Sequence, residues 1–403
     1  MKKRKKIILC TAALSATLQF SCKKDDNSDS SPQPITLECT NITANKTFEN
    51  IVADPSLPDY IVPCTIVITA KVTVNPGVNI QFESNSGFSV ENSGSITAVG
   101  TVDLPIVFKG AINTPGSWKG IAIRSNNVSN ILSYVTIDGG GSSSFSGADE
   151  VANILVDRIS QLRMNNCIIK NSGREGLLEN GVASNEENPL KEFSSNQFIN
   201  NANYPISILP PLAASMDEAT TFSGNGKQKI CIRGGELTND AIWKKTQVPY
   251  FISGDVSIGT WDYGSLTINP GCTLYFDANS SLAKGQYGNG FLKIVGTSTQ
   301  RITLTGEVES PGSWQGIGFQ STNVLNEIAF TDISYGGCCS FSGSSGDVGN
   351  VVVGAFSAGF VKISNTSVNF SQQCGIKVKS PASSINNAGG ITYNGNAAGT
   401  LCN

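Results

Sequence analysis

"TPGSWKGIAI" occupies residues 114–123 and "SPGSWQGIGF" occupies residues 310–319, two near-copies at an offset of 196 positions. The match extends upstream. "ITAVGTVDLPIVFKGAINTPGSWKGI" (96–121) and "LKIVGTSTQRITLTGEVESPGSWQGI" (292–317) agree at 11 of 26 positions without a gap. "VNPGVNIQF" pairs with "INPGCTLYF", and "SFSG" at Ser144 returns at Ser340. A register held over this length marks an internal duplication. It divides the chain into one copy at residues 35–226 and a second at 227–403.

Within each copy the pattern is β. "VNIQFES", "SITAVGT", "PIVFKG", "GIAIRS" and "ANILVD" alternate or run apolar for a few residues, and Gly, Asn, Ser or Pro closes each one. Sandwich or barrel strands would read the same way, and three features select a solenoid. The strands recur in groups of about 20–30 residues, the length of one coil. Asn171, Asn200 or Asn201, and Asn225 recur at coil spacing, where their amides would stack as a ladder. Cys39 and Cys64, and likewise Cys374 and Cys402, sit one coil apart. Coils about 4.8 Å apart suit a disulfide whose Cα atoms are about 5.5 Å apart. These pairs would staple the terminal coils, where sheet edges need protection. The expected fold is therefore all-β: a right-handed parallel β-helix solenoid built from two duplicated halves, the hand being the default for parallel crossovers. In the repeated motif, Pro115-Gly116 and Pro311-Gly312 read as turns. Trp118 and Trp314 read as covers over apolar surface, the alternative being a platform for sugars. Gly120 and Gly316 would let backbones approach. Trp243 and Tyr250 are expected to mark the join.

With these residues in view, "LTINPGCTLYF", "LKIVGT", "ITLTGEVESPGSWQGIGF" and "ISYGG" resemble the right-handed β-helix proteins of bacterial surfaces in the pectate-lyase-like superfamily. The resemblance spans both copies and implies the fold. It says little of function, because the superfamily holds lyases, hydrolases and adhesins. Its polygalacturonase-like hydrolases use clustered aspartates and a histidine, and this chain has 0 histidines. Its lyases use an Arg-x-Pro-x-x-Arg arrangement, which none of Arg124, Arg158, Arg163, Arg174, Arg233 or Arg301 reproduces. No catalytic residue carries over.

The residues that precede copy 1 carry an address. Lys2, Lys3, Arg4, Lys5 and Lys6 precede a short apolar run, too short to span a membrane comfortably and suited to export. Residues 1–21 read as a lipoprotein signal peptide, because "LQFSC" resembles a bacterial lipobox with Cys22 as the lipidation site. The alternative is ordinary secretion with a free Cys22. Residues 22–34, polar and rich in Ser and Pro, read as a flexible tether. The "KKDD" that opens it resembles the export tags of lipoproteins on the outer face of the outer membrane. Localisation at the cell surface, lipid-anchored to the outer membrane, is the expectation. Removing the five basic groups of the signal moves the net charge from −3 to about −8, which disfavours nucleic acid and anionic lipid. Membrane contact is expected through the lipid anchor only.

Candidate chemistry is sparse. Without histidine, acid–base work would fall to carboxylates, lysine or tyrosine. Asp138, Asp149 and Glu150 are the carboxylates available to a glycosidase-like pair, or to calcium, although their spacing fits no calcium-loop pattern. The second copy places Ser334 where the first has Asp138. A solvated Gly/Ser-rich corner loop is the plainer reading. Cys338 and Cys339, with no further metal-ligand spacing nearby, read as two separate thiols, a vicinal disulfide being the alternative. Trp261 and Tyr263, in the inserted "GTWDYGS", are the best sugar-stacking candidates. The expected function is binding of a polysaccharide or surface-protein partner, in adhesion or carbohydrate binding, by a monomer without metal or cofactor. The alternatives are a lyase or hydrolase of the same fold and a structural spacer.

Overall fold

The structure is a computed structural model that describes residues 32–146, 150–157, 159–181, 188–260, 263–286, 289–343 and 346–403. Cys22, Asp149 and Trp261 lie outside the described residues. The fold is nearly all-β. Among the described residues the one helical element is a 3-10 helix of 6 residues, Pro210–Ser215, led by two prolines that lack a backbone donor.

Every strand pairing among the described residues is parallel. Paired residues lie from 20 positions apart, Tyr60 with Ile80, to 35 apart, Asp332 with Ser367. An 8-stranded sheet and a 6-stranded sheet flank the first half, and another 6-stranded sheet flanks the second. A larger set joins the halves because the strand Tyr250–Ile258 is long enough to turn a corner. Its first part pairs with Leu274–Phe276 and its last part with Leu282–Lys284. The strands Thr65–Ile68 and Gly399–Cys402 share no pairing among the described residues, so this set is an open, branched stack rather than a barrel. Long parallel sheets of this kind are compatible with a β-helix-like solenoid.

Strand alternation explains the core. In each strand the inward residues are apolar, and pairing in register stacks them. Ile66, Phe88, Ile121, Ile154, Leu177, Ile206, Ile230, Tyr250, Leu274, Leu304, Ile333, Val368 and Tyr393 form one column of directly paired residues. The column crosses residue 226 without a break. All but Tyr393 are buried, each contributing about 1.5–3 kcal/mol relative to exposure.

The repeated motif has the same structure in both halves. Trp118 stacks on Phe82 with centroids 4.0 Å apart, and its Nε1 donates to Asp138 O at 2.8 Å. Trp314 stacks on Phe276 at 4.0 Å and donates to Ser334 O at 2.8 Å. Both indoles are fully buried, so neither is a sugar platform. The glycines are required. At Gly120 (φ +107°) and Gly316 (φ +121°) a Cβ would come within 2.4 Å of the carbonyl oxygen of Ala152 or Gly349 on the next strand. Trp243 packs on Tyr250 and donates to Pro210 O at 3.2 Å, sealing the 3-10 helix against the join.

The asparagine ladder exists with a corrected membership. Asn201 Nδ2 donates to Asn225 Oδ1 at 2.8 Å, and Asn201 Oδ1 accepts from Ser172 N at 3.1 Å. Asn171 and Asn200 stand outside it. Each follows a strand in the left-handed conformation, φ 54°, which asparagine tolerates. It is the next residue, Ser172 or Asn201, that is fully buried. In the second half Asn396 repeats the device, accepting from Ser371 N at 2.9 Å and donating to Val368 O at 2.8 Å.

Cys39 is bonded to Cys64 and Cys374 to Cys402, with Cα atoms 5.9 Å and 6.1 Å apart. Cys338 and Cys339 are bonded to each other, not separate thiols as expected. The turn after Gly337 (φ +87°) brings both sulfurs against Asn279 Oδ1. Cys167, Cys231 and Cys272 are free and buried. Burial in apolar surroundings raises Cys167 and Cys272 to about 12 and Cys231 to about 11, so all three are inert thiols.

Candidate functional site

The expected site residues do not converge. Asp138 ends the strand Val135–Asp138; its carboxylate lies 3.2 Å from Lys170 Nζ and accepts from Asn171 Nδ2 at 2.7 Å. It borders a cavity of about 360 Å3 shared with Gln81 and Lys109, but these partners already occupy the carboxylate. Glu150 is buried elsewhere, 2.9 Å from Arg124 Nη2 and accepting from Ser146 Oγ at 2.7 Å and Asn180 Nδ2 at 2.6 Å. Arg124 also reaches Asp157 at 3.7 Å. Burial pushes the Asp157 carboxyl above its ordinary range, against the pull of Asn180 and Arg124. Tyr263 is 71% exposed. Among the described residues no group of three or more His, Cys, Asp or Glu side chains is placed to hold a metal ion.

The loops carrying "SFSG" fold back over the outer face of the sheet. In the first half Phe145 packs on Ala122, Ala152, Leu155 and Leu178. Lys119 Nζ stands 5.7 Å from the Phe145 ring centroid, and Arg124, tied to Glu150, fills the ground beside it. In the second half Phe341 lies over Gly318 and Ala283, where a Cβ on Gly318 would approach the ring to 2.9 Å. Asp347 holds this loop. It is fully buried, accepts from Ser340 Oγ and from Ser342 N at 2.8 Å, and lies 3.5 Å from Lys379 Nζ. Burial alone would raise its carboxyl; these donors outweigh that and hold it below the usual range.

Between the two halves the aligned residues differ in charge. Where the first has Lys119 and Arg124, the second has Gln315 and Gln320. An opening of about 300 Å3 lies beside these two glutamines. Its lining includes Asp255, Ser257, Thr260, Ser281, Ala283, Gln286, Phe341 and Phe356. Asp255, the single carboxylate among these lining residues, accepts from Ser281 Oγ at 2.7 Å. Gln315 Nε2 donates to Ser340 O at 2.9 Å, fastening the Phe341 loop. Gln320 Oε1 accepts from Phe356 N at 3.0 Å, fastening the opposite wall. Gln320 is only 4% exposed, and its Nε2 has no hydrogen-bond partner. A buried amide donor without an acceptor is uncommon in folded proteins and calls for one. Phe356 is 61% exposed over the same opening.

Sequence reasoning missed Gln315, Gln320, Phe341 and Phe356. The available signal was the charge substitution between aligned copies at the end of the repeated motif. The inserted loop that was singled out does border the opening through Thr260.

Glu179 and Lys284 face inward. Glu179 pairs in register with Val156, is 3% exposed, and accepts from Leu209 N at 2.7 Å. Burial pushes it up to about 7, against the pull of Leu209 N and Arg233. Lys284 is fully buried and donates to Gly285 O at 3.0 Å and Gly259 O at 3.2 Å; burial brings it down to about 8.

No protein-family model matches the chain, and no solved structure matches it. Among curated proteins it is similar to Protein bark beetle of Drosophila melanogaster, 37% identical over 73 residues, which are 18% of this chain. The matched segment spans 2% of that protein, so the likeness shows neither a family nor an activity.

Proposed function

We propose that this chain is a surface lipoprotein whose body is a right-handed parallel β-helix of two duplicated halves, of the pectate-lyase-like superfamily, and that it binds an extended glycan without cleaving it. The single observation that carries the reading is the opening lined by Phe341, Phe356 and Gln320, whose amide Nε2 has no hydrogen-bond partner. Two aromatic walls and a ring of amides and hydroxyls suit a sugar, whose apolar faces stack and whose hydroxyls hydrogen-bond. The regular outer face on either side suits a chain of such units. A hydrolase or lyase would need two carboxylates, or a carboxylate and a free base, across one cleft. Among the described residues Asp255 is the single carboxylate lining this one. In this reading Cys22 carries the lipid that anchors a monomer at the outer membrane, facing outward.

The test is a panel of neutral and acidic polysaccharides, read for retention of the full chain and for new reducing or unsaturated ends. Retention with no new ends is expected. New ends that grow with time and enzyme concentration would replace this reading with the enzymatic one. Labelling of the expressed chain by a fatty-acid analogue, lost in Cys22→Ala, checks the anchor.

A further inference from the structure

We infer that the opening bounded by Gln315, Gln320, Phe341 and Phe356 is a subsite for one uncharged sugar residue, and that Gln320 Nε2 donates to an oxygen of that residue. The inference rests on the glycan-binding reading and adds ligand class, place and contact.

Three observations bear on it independently. The first is the orphan donor. Gln320 is held at its other end, Oε1 accepting from Phe356 N at 3.0 Å, so the amide cannot rotate to satisfy Nε2 without releasing Phe356. A ligand oxygen supplies what the protein does not. The second is charge. The described lining residues include no lysine or arginine, and Asp255 faces its partner Ser281 at 2.7 Å. A uronate or sulfated unit would bring a second negative charge near Asp255, with no lysine or arginine among the described lining residues, and like charges close together are strongly disfavoured. The third is the comparison between halves. In the first, the position aligned with Gln320 holds Arg124, bound to Glu150 at 2.9 Å and reaching Asp157 at 3.7 Å, and the position aligned with Gln315 holds Lys119 against Phe145. The same framework thus carries an ion network in one half and two neutral glutamines in the other. A volume of about 300 Å3 lies at the small end of ligand sites and takes one ring rather than a chain. The rest of an oligosaccharide would run along the face outside.

The experiment is isothermal titration of the full chain with hexasaccharides of glucose, mannose and N-acetylglucosamine, and with a galacturonate hexasaccharide. At least one neutral oligosaccharide should bind, and the acidic one should not. Gln320→Arg, which places the first half's residue in the second, should weaken neutral binding about tenfold or more, the loss expected of one buried hydrogen bond and a filled ring site. Gln320→Glu keeps an acceptor for Phe356 N but removes the donor, and should weaken it to a similar degree. Phe356→Ala should do likewise. Arg124→Gln should leave the measured affinity within twofold or add a second binding event. Thermal melts establish that each variant is folded. Neutral binding that survives Gln320→Arg and Gln320→Glu unchanged overturns the subsite while leaving the glycan reading intact. Preference for the galacturonate overturns the charge argument. Failure of every oligosaccharide to bind the unaltered chain overturns the glycan reading and the subsite together.

Discussion

Glu179→Gln should stabilise the protein at pH 8 and leave it nearly unchanged at pH 4.5. Glu179 sits where the paired strand has Val156, and it is 3% exposed. Burial holds its carboxyl at about 7 in the folded chain, above the ordinary 4.5. The folded value is raised, so the protonated group's contribution is fully present below pH 4.5 and is lost as pH rises through 7. At 1.36 kcal/mol per tenfold change in proton affinity, the charged form costs about 3 kcal/mol by pH 8. Glutamine is neutral throughout and can still accept from Leu209 N. Its second amide hydrogen lacks a partner and takes back about 1 kcal/mol. The net gain at pH 8 is therefore about 2 kcal/mol, and at pH 4.5 the variant is level or slightly weaker. If the whole chain unfolds together, an entropy near 2.1 cal/mol/K per residue turns this gain into a rise of about 2–3 °C. A solenoid that unfolds in blocks would show a larger rise in the block holding residue 179. Paired thermal melts of parent and variant from pH 4.5 to 8.5 cancel every other titrating group. A difference that stays flat across that range would refute the assignment of a buried, late-ionising carboxyl at this position.

The remaining predictions concern the framework. Trp118→Ala and Trp314→Ala should each cost about 3–5 kcal/mol in chemical denaturation, because each removes a fully buried indole stacked at 4.0 Å on a phenylalanine. A loss confined to one of them would break the equivalence of the two motifs. Replacing Cys39 and Cys64, or Cys374 and Cys402, by serine opens loops of 25 and 28 residues and should cost about 3.5 kcal/mol each on the loop-entropy account. Hydrogen exchange should then accelerate first in the strands Ile35–Thr36 and Thr65–Ile68, or Cys374–Val378 and Gly399–Cys402. Uniform acceleration along the whole chain would argue against a terminal staple.

Much of the architecture was legible because stacked parallel strands impose the same demands each time the chain passes. Inward positions must be apolar in register, so "GIAI" and "GIGF" read alike and both pair as parallel strands. The turn before them must fold tightly, which only glycine at Gly116 (φ +69°) and Gly312 (φ +79°) permits freely. Where the reading slipped, it slipped by one residue. Asn171 was assigned to the ladder that begins at its neighbour Ser172, because a residue of left-handed φ at a corner shifts which side chain points inward, and spacing alone cannot show that shift. Cys338 and Cys339 were misjudged for a related reason: adjacency in sequence says nothing of the turn that brings the two sulfurs together.

The outer face was far less legible, and the reason is physical. A rung fixes its inward residues and releases its outward ones, so nothing periodic marks a functional outward position. Asp138 and Glu150 drew attention as carboxylates in a loop, yet each proves to be an anchor, one to Lys170 and Asn171, the other to Arg124 and Asn180. Gln320 drew none, since a lone glutamine after a strand carries no chemical signature. What distinguishes it is a difference within the chain. The two halves share the tryptophan, the glycine and the phenylalanine that build the framework, and there a change of residue would have to be compensated. They part at Lys119 against Gln315 and Arg124 against Gln320, positions that could change without cost to the core. Where a sequence motif recurs on parallel strands, shared residues locate the scaffold, and the outward residues that diverge beside it are where a binding function has room to arise. Phe356→Ala separates these two roles in one molecule: the side chain is 61% exposed and stands where the first half has no phenylalanine, so its loss should spare the melt, which reads the scaffold, and weaken ligand binding, which reads the divergence.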